Sequence, residues 1–153
     1  MNVRNAARAV IIKDDKLLLT KNKDAEGVFY LFPGGGQEHG ETLHKALVRE
    51  CLEEIGAEVE VKELLHIREY IGKNHEHASF DSGVHQLDYF FICHLIKQSL
   101  DSVPILPDSH QVGIEWLDIK ELSHYRIYPK ELKGHLKKYN HLIPSPVYLG
   151  DVN

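Results

Sequence analysis

The sequence has few features of secreted, membrane-spanning or disulfide-stapled proteins. It contains only two cysteines, Cys51 and Cys93, among its 153 residues, and both fall in segments whose patterns predict regular structure. Two thiols in a chain of this length favour a reducing compartment over a disulfide scaffold. The first apolar run, residues 9–12, is too short for a signal or membrane segment. We therefore expect a cytoplasmic protein with no membrane partner.

Clusters of basic residues are also missing. The chain has 18 Lys and Arg residues against 23 Asp and Glu residues, a net charge of −5. Affinity for polymeric nucleic acid comes from clustered cations that displace counterions, so we expect no such partner. The protein could still bind a small anionic ligand if a cation bridges the two. Among the 11 histidines, His75 and His77 flank Glu76, but no paired motif on a helix accompanies them, and we interpret them as loop residues.

The length and composition predict one domain over residues 1–153. Hydrophobic periodicity predicts that it is built from a mixed sheet and helices. The strand predictions are residues 6–12, 16–21, 29–32, 64–71, 84–96 and 114–117, and the strand at 84–96 is dense enough in aromatic residues to be central. The helix predictions are residues 42–55 and 129–139, with Gly56 ending the first. Residues 33–36 predict a sharp turn, residues 72–83 a loop, and residues 140–153 an extended tail.

The first predicted helix has an apolar face bordered by an acidic patch. The apolar residues are Leu43, Leu47, Cys51 and Ile55, and Val48 and Leu52 are expected to widen that face. At about 100° per residue, Glu50, Glu53 and Glu54 project within an arc of about 100°.

Three carboxylates at this spacing repel one another and destabilise a helix by a few tenths of a kcal/mol per pair. Arg49 can pair with Glu53, but one arginine cannot neutralise these groups and Glu41 as well. Two explanations stay open from composition alone: a site for a divalent cation, or a solvated acidic helix face.

The spacing of the charged residues distinguishes these explanations. Five residues separate Gly35 from Glu41, and seven more lead to the run Arg49-Glu50-Cys51-Leu52-Glu53-Glu54-Ile55-Gly56-Ala57. This segment of 23 residues resembles the Nudix hydrolase box, G-x5-E-x7-R-E-U-x-E-E-x-G-U, at every charged and glycine position. Cys51 and Ala57 stand where the family prefers bulky aliphatic residues, which affects packing. The flanking segments 31–34 and 115–117 also resemble those of the family.

The resemblance implies an αβα sandwich with a mixed sheet, in which a loop, helix and loop unit holds Mg²⁺ or Mn²⁺ against a diphosphate. It makes Glu50, Glu54 and the backbone carbonyl of Gly34 ligands of the ion, and Glu53 a ligand or a partner of its water. Glu41 and Arg49 would hold these groups in place. Together Glu41, Arg49, Glu53 and Glu54 form the implied catalytic set.

The implied reaction is hydrolysis of a diphosphate bond in a nucleoside diphosphate linked to another moiety, by activated water attacking phosphorus. One alternative is a catalytically inactive Nudix-like sensor that binds a nucleotide, although such domains usually lose box carboxylates. A second is isomerisation of a prenyl diphosphate, which normally requires a dedicated cysteine site. Release of phosphate or monophosphate products would separate hydrolysis from both.

Three aspects of the site stay open in the sequence. The general base is Glu53 or a later loop residue, Asp108 or His110. Aromatic residues that could stack on a base or ribose are Phe29, Tyr30, Tyr70, Phe80 and Tyr128, although most fit a core or rim position equally well. The substrate is open among oxidised nucleoside triphosphates, nucleotide sugars and ADP-ribose, and a homodimer is compatible with the resemblance.

Overall fold

The computed structural model of the protein describes residues 2–98, 110–140 and 142–153. Within these ranges the strands are β1 (Arg4–Lys13), β2 (Lys16–Asp24), β3 (Gly27–Leu31), β4 (Gly34–Gly36), β5 (Ala57–Ile71), β6 (His85–Gln98), β7 (Gln111–Asp118), β8 (Ile127–Tyr128) and β9 (Tyr148–Asp151). The helices are α1 (Leu43–Ile55), α2 (Ala78–Asp81) and α3 (Glu131–Asn140), and single 3₁₀ segments cover Gly72–Asn74 and Ile119–His124.

The strands form a mixed sheet. Their hydrogen-bonded order is β8-β3-β2-β1-β6-β5-β9, with β4 paired to β1 and β7 paired to β2. The pairs β1/β6, β3/β8 and β5/β9 are parallel, and the other pairs are antiparallel. Strand β6 lies between β1 and β5, so the prediction of a central strand at residues 84–96 is confirmed.

Helices cover both faces of the sheet because the side chains of β1 alternate between two cores. Ala9 and Ile11 pack with Leu47 of α1 on one face. Val10 points the other way and packs in a cluster that includes Leu136 of α3. This arrangement is the αβα sandwich that the sequence resemblance implied.

Helix α1 is held at both ends by its own sequence. The Thr42 side chain accepts a hydrogen bond from the backbone N–H of Lys45, and Gly56 ends the helix at φ +61°. The residues buried on its inner face are Ala46, Leu47, Cys51 and Ile55. Val48 and Leu52 are 40% and 50% exposed, so the expectation that they widen the buried face is wrong. Each follows Leu47 or Cys51 by one position, about 100° around the helix, where it turns away from the sheet.

Short or weakly patterned segments differ most from the predictions. Gly34–Gly36, predicted as a turn, forms strand β4. Residues 57–71 form one continuous strand, and the expected loop at 72–83 contains a 3₁₀ segment and α2. Within the predicted tail, Tyr148–Asp151 pairs in parallel with β5. In the described ranges, no helix has both the length and the apolar character needed to cross a membrane.

Candidate active site

The glycine-rich strand β4 brings the backbone next to helix α1. Gly34 has φ +139°, and a Cβ atom there would overlap the carbonyl oxygen of Ala7 on β1. A Cβ atom on Gly35 would lie 2.5 Å from the carboxylate carbon of Glu50. Glycine is therefore required at both positions, at Gly34 for strand pairing and at Gly35 to let the Glu50 carboxylate lie against the backbone.

Arg49 is the centre of the acidic patch on α1. Its guanidinium donates to both carboxylate oxygens of Glu41, at 2.6 and 3.2 Å, and to the carbonyl oxygen of Gly36 at 3.1 Å. It also donates to Glu50 Oε1 at 3.0 Å and to Glu53 Oε2 at 3.3 Å. One cation thus bridges three carboxylates and the glycine strand.

These contacts shift the ionisation of the groups involved. The hydrogen bonds from Arg49 lower the pKa of Glu41 below its ordinary value. Those with Glu41, followed by those with Glu50, raise the pKa of Arg49 although burial opposes the rise. The Glu41 carboxylate and the Arg49 guanidinium are therefore both charged at neutral pH.

Glu54 reaches the same glycine strand one turn further along the helix. Its Oε1 atom accepts a hydrogen bond from the backbone N–H of Gly34 at 3.4 Å. The side chains of Glu50 and Glu53 are 20% and 30% exposed. The structure therefore gathers Glu50 and Glu54 beside β4, with Glu53 nearby on Arg49, in a partly exposed acidic site.

All donor atoms of this site are oxygens, which suits a hard cation such as Mg²⁺ or Mn²⁺. The Glu50 carboxylate lies against the Gly35 backbone, and Glu54 contacts Gly34. Across the described ranges, however, no group of three or more His, Cys, Asp or Glu side chains is arranged to hold a metal ion. Arg49 engages one oxygen of Glu50 and one oxygen of Glu53. The second oxygen of each carboxylate is not bonded to Arg49, so the donor set fits a hard cation.

Sequence reasoning missed a second charged cluster next to β4. Arg8 of β1 donates through Nη1 to the carbonyl oxygen of Gly34 at 3.2 Å and through Nε to Asp88 at 3.1 Å. Asp88 is fully buried in β6 and also accepts from Arg68 Nε at 2.7 Å. Burial raises the pKa of Asp88, but the two arginines outweigh burial and hold it below its ordinary value. The available signal was a charged residue interrupting a predicted buried strand.

Two of the three candidates for the general base, Glu53 and His110, lie among the described residues. Glu53 lies within the carboxylate cluster around Arg49. His110 is exposed in a turn before β7, and its backbone carbonyl accepts from the N–H of Lys23 at 3.0 Å. Asp108 lies outside the described residues.

The five candidate aromatic residues divide into core and surface groups. Tyr30 and Tyr70 are buried, and their hydroxyl groups donate to Glu115 and Asp81 respectively. Burial leaves their rings little surface on which a base or ribose could stack. Phe80, in contrast, is 73% exposed.

Phe29 and Tyr128 are partly exposed and belong to a surface cluster of rings and cations. The Arg126 guanidinium lies 5.0 Å from the ring centre of Phe29 and 5.4 Å from that of Tyr128. His77 stacks on Phe80 at 5.2 Å and meets the Tyr128 ring edge-on at 6.1 Å.

The residues on either side of His77 have other partners. Glu76 pairs with Lys130, and His75 pairs with Asp151. His75, Glu76 and His77 therefore contact different partners.

The fold is an αβα domain whose candidate site is formed by the glycine strand β4 and the acidic helix α1. The NUDIX domain family matches residues 3–139, and the chain belongs to this family. In fold, the chain is similar to a NUDIX hydrolase from Nitrosomonas europaea, at 23% identity and a TM-score of 0.73, covering 95% of this chain and 94% of that one.

The curated relatives that are similar in sequence include a vertebrate and an archaeal protein. A Xenopus laevis protein named nucleoside diphosphate-linked moiety X motif 6 is 34% identical over 121 residues, covering 77% of this chain and 51% of the relative. An ADP-ribose pyrophosphatase from Methanocaldococcus jannaschii is 48% identical over 62 residues, covering 39% of this chain and 36% of the relative. The chain thus spans about half the length of the first relative and about a third of the second.

Proposed function

We propose that the protein is a metal-dependent hydrolase that cuts the diphosphate bond of a nucleoside diphosphate linked to another moiety. The observation that carries this proposal is the cluster of box carboxylates around Arg49, placed against the backbone of Gly34 and Gly35. Membership of the NUDIX family supports the reaction class. The names of the two curated relatives support a nucleoside diphosphate derivative as the substrate.

In this proposal Glu50, Glu54 and the carbonyl oxygen of Gly34 hold Mg²⁺ or Mn²⁺, and Glu53 joins them or orients water. The ion supplies Lewis-acid stabilisation of charge on phosphate oxygens and lowers the pKa of water. Arg49 keeps the carboxylates together and reduces their mutual repulsion, and Glu41 fixes the orientation of Arg49. Glu53 is our candidate for the general base because it lies in the cluster.

The competing function is a nucleotide sensor without catalytic activity. Such a domain has no need for the full set of box carboxylates, whereas this chain retains Glu41, Glu50, Glu53 and Glu54. The hydrolase is therefore the better supported function. The nucleoside and its linked moiety stay open among nucleotide sugars, ADP-ribose and oxidised nucleoside triphosphates. We further propose that the protein is cytoplasmic and binds neither polymeric nucleic acid nor membranes. A homodimer is compatible with this proposal.

A panel of nucleoside diphosphate compounds, incubated with Mg²⁺ or Mn²⁺ and analysed by product mass, tests the function. Hydrolysis predicts products that together exceed the substrate by one water. Binding without product formation across the panel would favour the sensor, and an isomer of unchanged mass would favour the isomerase.

The metal site can be tested separately with two glycine variants. Gly35→Ala places a methyl group against the flexible end of the Glu50 side chain, so the fold should survive while the carboxylate moves. Gly113→Ala is the matched control, since its Cβ would meet nothing within 4 Å. Calorimetry should show weaker Mn²⁺ binding for Gly35→Ala alone. Equal Mn²⁺ affinity in both variants would contradict the assignment of Glu50.

A further inference from the structure

Gly34 is contacted by a cation as well as by a carboxylate. Arg8 donates to its carbonyl oxygen at 3.2 Å, and Glu54 accepts from its N–H at 3.4 Å. The guanidinium of Arg8 therefore contacts the Gly34 carbonyl oxygen, which we propose as a metal ligand. The proposed ligand Glu54 contacts the N–H of the same residue. The Arg8 side chain is 23% exposed, about as much as that of Glu50 in the same site, at 20%.

Buried Asp88 holds Arg8 in this position. The Asp88 carboxylate accepts from Arg8, Arg68 and Gln86, which fixes the Nε side of the Arg8 guanidinium. Two arginines face this single carboxylate, so the triad by itself carries a net charge of +1, and the carboxylates of Glu54 and Glu50 also act on Arg8. Within the part of the chain that the structure describes, Nη2 of Arg8 has no hydrogen-bond partner.

Arg49 and Arg68, two other arginines of the region, have their donors engaged elsewhere. Arg49 is surrounded by Glu41, Glu50 and Glu53 and has no charge to spare for an anion. Arg68 pairs with Asp88 as Arg8 does, but its Nη1 atom donates to the Val152 carbonyl at 2.7 Å. Arg4 also lies beside the glycine strand, at Gly36. Among these arginines, Arg8 is the one that contacts Gly34 while a buried carboxylate holds its guanidinium.

A diphosphate approaching the acidic helix is repelled by the carboxylates unless cations offset them. We infer that Arg8 binds the diphosphate of the substrate directly, presented by Asp88 beside Gly34. This inference rests on the proposed function. Guanidinium suits this role because its planar donors match phosphate oxygens and it stays charged at every working pH. Arg8 supplies a protein cation for the diphosphate that is independent of the metal ion.

The test measures binding of α,β-methylene adenosine diphosphate, whose bridge resists hydrolysis, by calorimetry in excess EDTA. Arg8→Gln should weaken binding by at least about tenfold, because charge-assisted hydrogen bonds to phosphate are lost. Arg68→Gln is the matched control, since it also removes one partner of Asp88 but no donor near Gly34. Its affinity should stay within about twofold of the wild-type value. Arg8→Lys retains the charge without the planar fork and should lie between the two.

Several results would overturn the inference. Equal binding by the wild-type and Arg8→Gln proteins would show that Arg8 does not touch the diphosphate. Equal weakening by Arg8→Gln and Arg68→Gln would show a structural role of the triad. If the wild-type protein does not bind the analogue in EDTA, then Arg8 does not bind the diphosphate without the metal ion. If Arg8→Gln fails to fold, Arg8→Lys with unchanged affinity overturns it as well.

Failure of the proposed function would look different. In that case the wild-type protein with Mg²⁺ or Mn²⁺ would release no product from the substrate panel. Selective loss of analogue binding in Arg8→Gln would still support the diphosphate site.

Discussion

Replacement of Arg49 by glutamine tests whether one guanidinium holds the acidic site together. The change removes the donors to Glu50 at 3.0 Å, to Glu53 at 3.3 Å and to the Gly36 carbonyl at 3.1 Å, together with the pair to Glu41. It also leaves the carboxylates of Glu41, Glu50 and Glu53 without their shared cation. Glutamine keeps an aliphatic stem and a polar end, although its side chain is shorter than that of arginine.

The magnitude follows from the exposure of the groups. Hydrogen bonds to charged groups contribute about 1.5–3 kcal/mol when buried, whereas exposed ion pairs contribute about 0.2–1 kcal/mol. The Arg49 side chain is 26% exposed, which places its pairs with Glu50 and Glu53 between these limits. We expect Arg49→Gln to lower the free energy of unfolding by about 2 kcal/mol at pH 7. At roughly 2–4 °C per kcal/mol for a domain of this size, the melting temperature should fall by roughly 4–8 °C.

Urea denaturation at several pH values checks the cause. Arg49 lowers the pKa of Glu41 below its ordinary value of 4.5, so this stabilisation is present above that pH and is lost as the pH falls through the lowered pKa. Protonation also relieves repulsion in the variant. The difference between the two proteins should therefore be largest at pH 7 and shrink below about pH 4.5. Arg49→Lys, which keeps the charge, should cost less, and a difference that is absent at pH 7 or constant with pH would refute the reasoning.

Three further predictions concern other parts of the fold. Cys51 is buried, and burial raises the pKa of its thiol far above the ordinary value, so it is a poor nucleophile. Cys51→Ala should lower the melting temperature but leave turnover within a few-fold of wild type. Loss of activity in the folded variant would indicate a covalent mechanism. Gly34→Ala should prevent folding, judged by circular dichroism, whereas Gly113→Ala should fold normally; a folded Gly34→Ala protein would contradict the strand pairing. Burial lowers the pKa of His66 below the ordinary histidine value of 6.5, so the free energy of unfolding should fall as the pH drops below 6.5. His66→Gln should flatten this pH dependence, and an unchanged pH profile in that variant would contradict the prediction.

The sequence predicts the elements of this fold best where a strong period persists. Helix α1 and strand β6 each bury a repeating apolar face, and both were predicted with boundaries close to those observed. Strand β4 could not be predicted because three consecutive glycines carry no period. Its pairing depends on the distant Ala7. Strand β9 has only four residues and depends equally on a long-range partner, β5.

The candidate site shows the same division. The fixed spacing of Gly35, Glu41 and Arg49 through Glu54 allowed the acidic cluster to be predicted because most of it lies on one helix. Arg8 and Asp88 are 80 residues apart in sequence and meet through the parallel pairing of β1 with β6. No local pattern carries that information. A charged residue inside a buried strand indicates only that some partner must exist.

The most direct test of the central claim is the rate of hydrolysis in ¹⁸O-labelled water, measured on the best substrate of the panel. We expect the label in a phosphate group of one product, activity that is lost in excess EDTA, and a rate for Glu54→Gln lower by on the order of a thousandfold. Full turnover in EDTA, label outside the phosphate groups, or a Glu54→Gln rate within a few-fold of wild type would contradict metal-assisted attack on phosphorus at this site.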